Sequence, residues 1–368
     1  MRGSGRKREG GTGRAALTLL AASLLVSAGA GIGLPSLAKA GWSAPTAIGL
    51  LALGAGIVLG AVGLVWAVRR ARGWWRLPVA LVSAAGVLLV VNVLAIPLAA
   101  TVVPPTPGDG RTPADIGLAF REVRLPTSGG AELAAWYVPT LNGAAVVLLH
   151  GSGSTRSSTL AQAAVLARHG YGVLLLDARG HGQSTGRAMD FGWNGDADLG
   201  SATAYLASSE AGVDTGRIGA VGLSMGGEEA LGALAGDLRL RAVVAEGATG
   251  RVAADLDWLS DRYGWRGRVQ EVIEVAHTRV AAVLSGLDPP GPLREALAVS
   301  RAPVLLVTAS KRRDEGYAAV HLRAAAPGRV QVWSVAGAEH AAGLAAQPGE
   351  WEQRVVGFLD QALLGSRR

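Results

Sequence analysis

The chain has 368 residues with a formal net charge of +7 and no cysteine, which excludes disulfides, thiolate catalysis and cysteine-ligated metals. The charge is divided unevenly: residues 1–100 hold ten Lys/Arg against the single Glu9, whereas residues 101–368 hold 25 Lys/Arg against 27 Asp/Glu. The C-terminal part therefore lacks the basic excess that a phosphate backbone requires, so nucleic acid is excluded as a partner.

A mean hydropathy of +0.31 is high for a fully soluble protein, and the excess lies near the start of the chain. Three uncharged apolar runs, residues 15–38, 44–68 and 77–103, each reach the roughly 20 residues a helix needs to cross a bilayer core. None shows the polar face that a globular surface helix of this length carries, so all three are expected to span a membrane. Their many Gly and Ala suit close helix–helix packing in lipid.

Basic residues set the orientation, because positive loops stay in the cytoplasm. Arg2, Arg6, Lys7, Arg8 and Arg14 precede the first run, and Arg69, Arg70, Arg72 and Arg76 lie between the second and third. The loop between the first two runs has only Lys39. The residues after 104 are thus expected on the extracytoplasmic side of a multi-pass cell-membrane protein. The sequence "LAKA" (Leu37–Ala40) leaves a cleaved signal peptide open for the first run, with the same outcome for the C-terminal part.

A Pro/Gly-rich stretch, residues 104–117, reads as a linker. From there the pattern becomes that of a folded domain over residues 118–366. Strand-like runs at 120–126 and 131–138 are joined by "TSGG", a hairpin signal. Apolar runs at 144–151, 171–177, 217–223, 240–247, 302–310 and 328–335 then alternate with helical segments at 160–170, 196–209, 225–236 and 350–364. Continuous Val/Leu runs are strands buried on both faces, and the alternation predicts a mostly parallel α/β sheet with helices on both faces. Residues 248–300 interrupt the alternation with helical segments rich in Trp258, Tyr263 and Trp265; this insertion is either a lid or a stabilising decoration.

Two stretches read Gly-x-Ser-x-Gly, "GQSTG" around Ser184 and "GLSMG" around Ser224, in a chain with 53 Gly where one match by chance is ordinary. Context separates them. Ser184 follows a loop, and no apolar helix starts at it. Ser224 lies between a buried strand and a helix, the sharp turn that exposes a nucleophilic hydroxyl, with Gly222 and Gly226 removing side chains that would clash.

A serine nucleophile needs a base and a group to orient it. Of the six histidines, His150, His169 and His181 precede Ser224, His277 lies in the insertion and His321 lies in a helix. His340 follows the last strand in a glycine-containing loop and is the candidate base. The orienting acid belongs after the 302–310 strand, where Asp314 and Glu315 stand. Asp314 is the choice, its shorter side chain being nearer the strand, with Glu315 and the strand-end Glu246 as alternatives. The backbone N–H groups of Ser152, in the "HGSGS" loop, and of Met225 would form the oxyanion hole. That loop lacks the Lys-Ser/Thr of a phosphate-binding loop, and His150 reads as a loop-shaping residue.

The stretches "VVLLHGSG", "LLLDARGHGQS", "VGLSMGG", "PVLLVTAS" and "VAGAEHAAG" occur in an order that resembles the alpha/beta-hydrolase superfamily, in its serine-hydrolase (esterase, lipase or peptidase-like) branch. The resemblance implies the fold, a Ser–acid–His triad, a variable lid before the acid-bearing strand, and a structural role for the "RGHG" loop. It departs at one point: such proteins usually place the Asp about two residues sooner, where Arg312 stands. No metal or organic cofactor is implied. The expected activity is hydrolysis of a small-molecule acyl substrate, a carboxylic ester or lipid-like acyl compound first, with peptide or thioester cleavage, acyl transfer and a non-catalytic binding role as alternatives. The topology is tested by protease treatment of spheroplasts, which should digest the C-terminal domain; protection of that domain would contradict the charge argument.

Overall fold

A computed structural model describes residues 5–102 and 104–365. Arg2, Val103 and residue 366, all within the segments assigned above, lie outside the described residues, as do the side chains of Arg6, Lys7 and Arg8. The chain divides into two compact units, Met1–Pro104 with Ala276–Gly286, and Pro105–Val275 with Leu287–Arg368.

The first unit is helical. Helix α1 (Gly5–Ala28) runs through a π-helical turn, Gly29–Gly33, into α2 (Leu34–Ala40), and α3 (Ala44–Arg70) and α4 (Arg76–Thr101) follow. Three stretches, Gly13–Ala40, Ala44–Arg70 and Gly73–Thr101, are long and apolar enough to cross a membrane. Gly49, Gly56 and Gly63 recur every seventh residue of α3 and are all buried. A Cβ on Gly56 would lie 2.8 Å from the Val26 backbone, so α1 and α3 approach as closely as their backbones permit. In lipid, where the hydrophobic effect would not drive helices together, such proximity would supply the dispersion contacts that hold them. Large apolar side chains such as Leu51, Val82 and Leu88 point outward, as lipid-facing residues do.

The second unit is an eight-stranded sheet in the order β1-β2-β4-β3-β5-β6-β7-β8. Strands β1 (Arg121–Pro126) and β2 (Glu132–Val138) form the expected antiparallel hairpin, and β2 pairs antiparallel with β4 (Gly172–Leu176). The rest of the sheet is parallel: β3 (Ala145–Leu149), β5 (Ile218–Leu223), β6 (Leu240–Glu246), β7 (Val304–Ala309) and β8 (Val330–Val335). Every residue of β3, β4, β5 and β7 is buried, so the uninterrupted apolar runs do mark two-faced burial.

Side chains alternate between two cores. Val147, Leu149, Leu174 and Leu176 face α6 (Gly195–Leu206) and α7 (Met225–Ala233) through Leu199 and Leu231. Val146, Leu148, Val173 and Leu175 face α5 (Leu160–Arg168) through Leu166, and this same core also holds Trp351 and Phe358 of the later C-terminal helix. The insertion within this unit begins with α8 (Leu259–Tyr263) and the start of α9 (Trp265–Ser285), and α10 (Leu293–Val299) leads back to β7. Its two ends are tied by one buried carboxylate: Asp255 accepts from the Arg251 and Val252 N–H groups and, at 2.6 Å, from the Leu293 N–H. Helices α11 (Arg313–Arg323), α12 (Gly343–Ala346) and α13 (Pro348–Leu359) complete the unit.

Candidate active site

Parallel strands end on one edge, and in open α/β sheets ligands bind there. Strand β5 delivers Ser224 to that edge in strained geometry, with φ 53° and ψ −120°. A non-glycine residue holds such a conformation only where its surroundings over-determine it. Here the Ser224 N–H donates to the Glu246 carbonyl at 2.7 Å and the Ser224 carbonyl accepts from Gly227 at 2.8 Å. A Cβ on Gly222 would run into the Gly226 carbonyl, and one on Gly226 would meet Leu149 at 2.6 Å. The two glycines are therefore what allows α7 to turn back against β5 and β3.

His340 Nε2 stands 2.8 Å from Ser224 Oγ. Its Nδ1 faces Glu315 Oε1, also at 2.8 Å, and the second Glu315 oxygen accepts from the Ala309 N–H at 2.7 Å. The structure thus puts Glu315, not Asp314, against the histidine. Successive residues on a helix point about 100° apart. Ala318, Ala319 and Leu322, at three, four and seven positions after Glu315, share its buried face on α11, whereas Asp314 turns outward and accepts from the Tyr263 hydroxyl. The extra methylene of Glu reaches His340 from this later position. The same 315/318/319/322 spacing is visible in the sequence and would have selected Glu315 over Asp314.

Glu315 raises the His340 pKa above its ordinary value near 6.5 by accepting from the ring, and partial burial opposes the shift. The carboxylate also sits in the first turn of α11, where the helix dipole favours negative charge. A Cβ on Gly247 would lie 3.0 Å from the imidazole, so glycine at the end of β6 makes room for the ring. Ala341, next to the histidine, is the other non-glycine residue with positive φ among those described, at 51°.

The other candidates have structural partners. Glu246 accepts from the Gly343 N–H at 2.6 Å and the Trp351 indole at 3.0 Å, which pins α12 and α13 to the sheet. Its own burial raises its pKa. His150 accepts from the Ala178 N–H through Nε2, so Nδ1 carries the proton and donates to the Gly151 carbonyl at 2.8 Å. Burial, reinforced by His181, lowers its pKa to about 3, and a neutral ring of fixed tautomer shapes the loop. Ser184 is buried, donating to the Asp177 carbonyl and accepting from the Ala134 N–H, so "GQSTG" supplies no nucleophile here. His169 pairs with Glu352, His181 with Asp190 and His321 with Asp257. His277, in the first unit, meets the Asn92 carbonyl at 3.2 Å.

Ser152 borders a cavity of about 970 Å³ together with Ser224 and His340, and Met225 opens α7 directly after the serine. The Ser224 N–H is engaged by the Glu246 carbonyl and so is not available to a substrate oxygen. Glu228, one turn into α7, accepts from the Thr249 and Gly250 N–H groups and holds the start of the insertion. Burial raises its pKa to about 7. No sequence signal marks this residue, because a Glu inside an apolar helix has no identifiable partner until β6 and the insertion are placed.

Comparison with known proteins agrees with this architecture. Residues 142–307 match a family model described as Hydrolase_4, serine aminopeptidase S33. Two uncharacterised proteins of Mycobacterium tuberculosis, from strains CDC 1551 / Oshkosh and ATCC 25618 / H37Rv, are each 36% identical over 117 residues. That match spans 31% of this chain and 41% of each relative. Among solved structures, an esterase of Pyrococcus furiosus superposes with a TM-score of 0.58 at 22% identity, over 71% of this chain and 97% of its own. An alpha/beta hydrolase of Penicillium sp. sh18 gives 0.51 at 18% identity, over 67% and 100%. The second unit has the alpha/beta-hydrolase fold.

Exchanging the two neighbouring carboxylates tests the geometry. Glu315→Gln should lower kcat on the order of 10³- to 10⁴-fold, as loss of a triad acid does. It should also move the acid limb of kcat/KM to lower pH, because the partner that raises the His340 pKa is lost. Asp314→Asn, which leaves the Glu315–His340 contact in place, should keep the wild-type acid limb and lose far less kcat than Glu315→Gln. Steady-state kinetics from pH 5 to 9 read both.

Proposed function

We propose that this protein is a membrane-anchored serine hydrolase that cleaves carboxylic esters on the extracytoplasmic side of the cell membrane. The observation that carries the reading is the chain Ser224 Oγ, His340 and Glu315, joined by two 2.8 Å contacts at a strained strand-to-helix turn. The three apolar helices support the anchor, and the excess of basic residues before the first and third spans supports the sidedness.

In this reading Ser224 Oγ attacks the acyl carbonyl while its proton passes to His340 Nε2. Glu315 accepts the Nδ1–H and stabilises the imidazolium, remaining ionised itself. The Ser152 and Met225 N–H groups receive the carbonyl oxygen as it becomes negative, an interaction whose loss costs on the order of 10²- to 10³-fold in kcat. The imidazolium returns its proton to the departing alkoxide, and the alcohol leaves an acyl-Ser224 ester. Water, deprotonated by His340, then releases the carboxylic acid and restores the serine. A base must be neutral to act, so activity is present above the His340 pKa and lost as pH falls through it.

Amide cleavage is the second reading, because the matching family description names a serine aminopeptidase. A panel of p-nitrophenyl esters, thioesters and aminoacyl p-nitroanilides, run with and without an added alcohol acceptor, separates hydrolysis of esters from the peptidase, thioesterase and transferase variants. The expected result is turnover of esters to free acid, reduced at least about 10⁴-fold by Ser224→Ala. Turnover that survives Ser224→Ala would overturn the assignment of the nucleophile.

A further inference from the structure

Two cavities meet at His340, and they differ in chemistry. The larger, about 970 Å³, is the one that Ser224 and Ser152 border. Away from them it runs between α5 and the segment carrying α12 and the start of α13, and its walls are largely alanine and aliphatic: Ala161, Ala164 and Val165 on one side, Leu344, Ala345 and Pro348 on the other. The smaller, about 630 Å³, lies toward the insertion and mixes the charged and polar Lys311, Arg312, Arg313, Asp314 and Gln270 with the apolar Leu256, Trp258 and Leu259. His340 borders both, whereas Ser224 borders only the first.

The chemistry of the proposed reaction assigns the two halves of an ester to these two spaces. The acyl carbon becomes bonded to Ser224 Oγ, so the acyl chain must leave from the serine side. The alcohol takes its proton from His340 and belongs on the side that the histidine faces without the serine. Small side chains keep the first groove open: Ala161 and Ala345 are exposed and Ala164 and Leu344 half-buried, so these walls contribute to a lined channel instead of to the core. From Ala161 to Arg168 the groove follows α5 for about 10 Å. It ends at a polar rim, where Arg168 Nη2 meets Glu352 Oε2 at 3.0 Å and His169 Nε2 meets the other Glu352 oxygen at 2.8 Å.

We propose that this groove is the acyl-binding site and that it selects esters of linear, medium-length aliphatic acids. The inference rests on the serine-hydrolase reading above. It places chain-length selection on α5 and α12, outside the insertion.

The test uses the full-length protein in lipid nanodiscs with p-nitrophenyl acetate, butyrate and octanoate, comparing wild type with Ala164→Phe and Ala345→Phe. Each variant puts an aromatic ring into the groove from an opposite wall, and labelling by a fluorophosphonate reports that it is folded; where one variant does not label, the other decides. Wild type should show kcat/KM rising with chain length. In the variants the octanoate-to-acetate ratio should fall at least about tenfold, the effect of losing the burial of two or more methylenes. A ratio unchanged in labelled variants would overturn the groove assignment while leaving the nucleophile intact. A wild-type protein that labels yet hydrolyses none of these esters would overturn the ester reading, and the groove with it.

Discussion

Much of the second unit is organised around one costly piece of backbone, the positive φ at Ser224, a conformation that disfavours any side chain by about 1–3 kcal/mol. It persists because the alternatives are blocked. The Ser224 N–H is held by the end of β6 and its carbonyl by Gly227, while Gly222 and Gly226 let β5, α7 and β3 approach to backbone contact. Relaxing the serine would break the junction of three buried elements. The strain therefore comes with a fixed direction for the hydroxyl, toward the sheet edge where the loops after β3, β7 and β8 gather.

Three buried glutamates then fix what surrounds that hydroxyl, each through hydrogen bonds to groups from another segment. Glu315 orients His340, Glu246 ties the backbone three residues after the histidine and the C-terminal helix to β6, and Glu228 holds the first residues of the insertion. A buried carboxylate is expensive unless its oxygens are satisfied. Here the satisfying donors include the backbone N–H groups of Ala309, Gly343, Thr249 and Gly250, so the carboxylates' demand for partners fastens separate segments to one another. Support of this kind is what a reaction depending on sub-ångström placement requires.

The fold was legible from the sequence because its signal is physical and local. Strands buried on two faces must be apolar throughout, as in "AVVLL" and "GVLLL", and glycines at Gly222 and Gly226 flag a turn that no larger residue permits. The choice between Ser184 and Ser224 was likewise readable, since only one lies between a strand and a helix. The acid was harder. Asp314 and Glu315 are adjacent, and side-chain length alone points to Asp314; the facing of α11, carried by the 315/318/319/322 spacing, brings Glu315 to His340 instead. Glu228 and the polar rim at Glu352 are invisible to any local reading, because their partners lie 21 and 183 or more residues away. The boundary between the apolar groove and the mixed cavity is of the same kind, assembled from segments that meet only in the folded chain.

In the proposed reaction Ser224 is the nucleophile, and peptide mapping of the folded protein after treatment with a fluorophosphonate reads that role residue by residue. One modified peptide should appear, carrying the adduct on Ser224; the adduct should be lost in Ser224→Ala and retained in Ser184→Ala. Modification at another residue, or none on folded protein, would contradict the account.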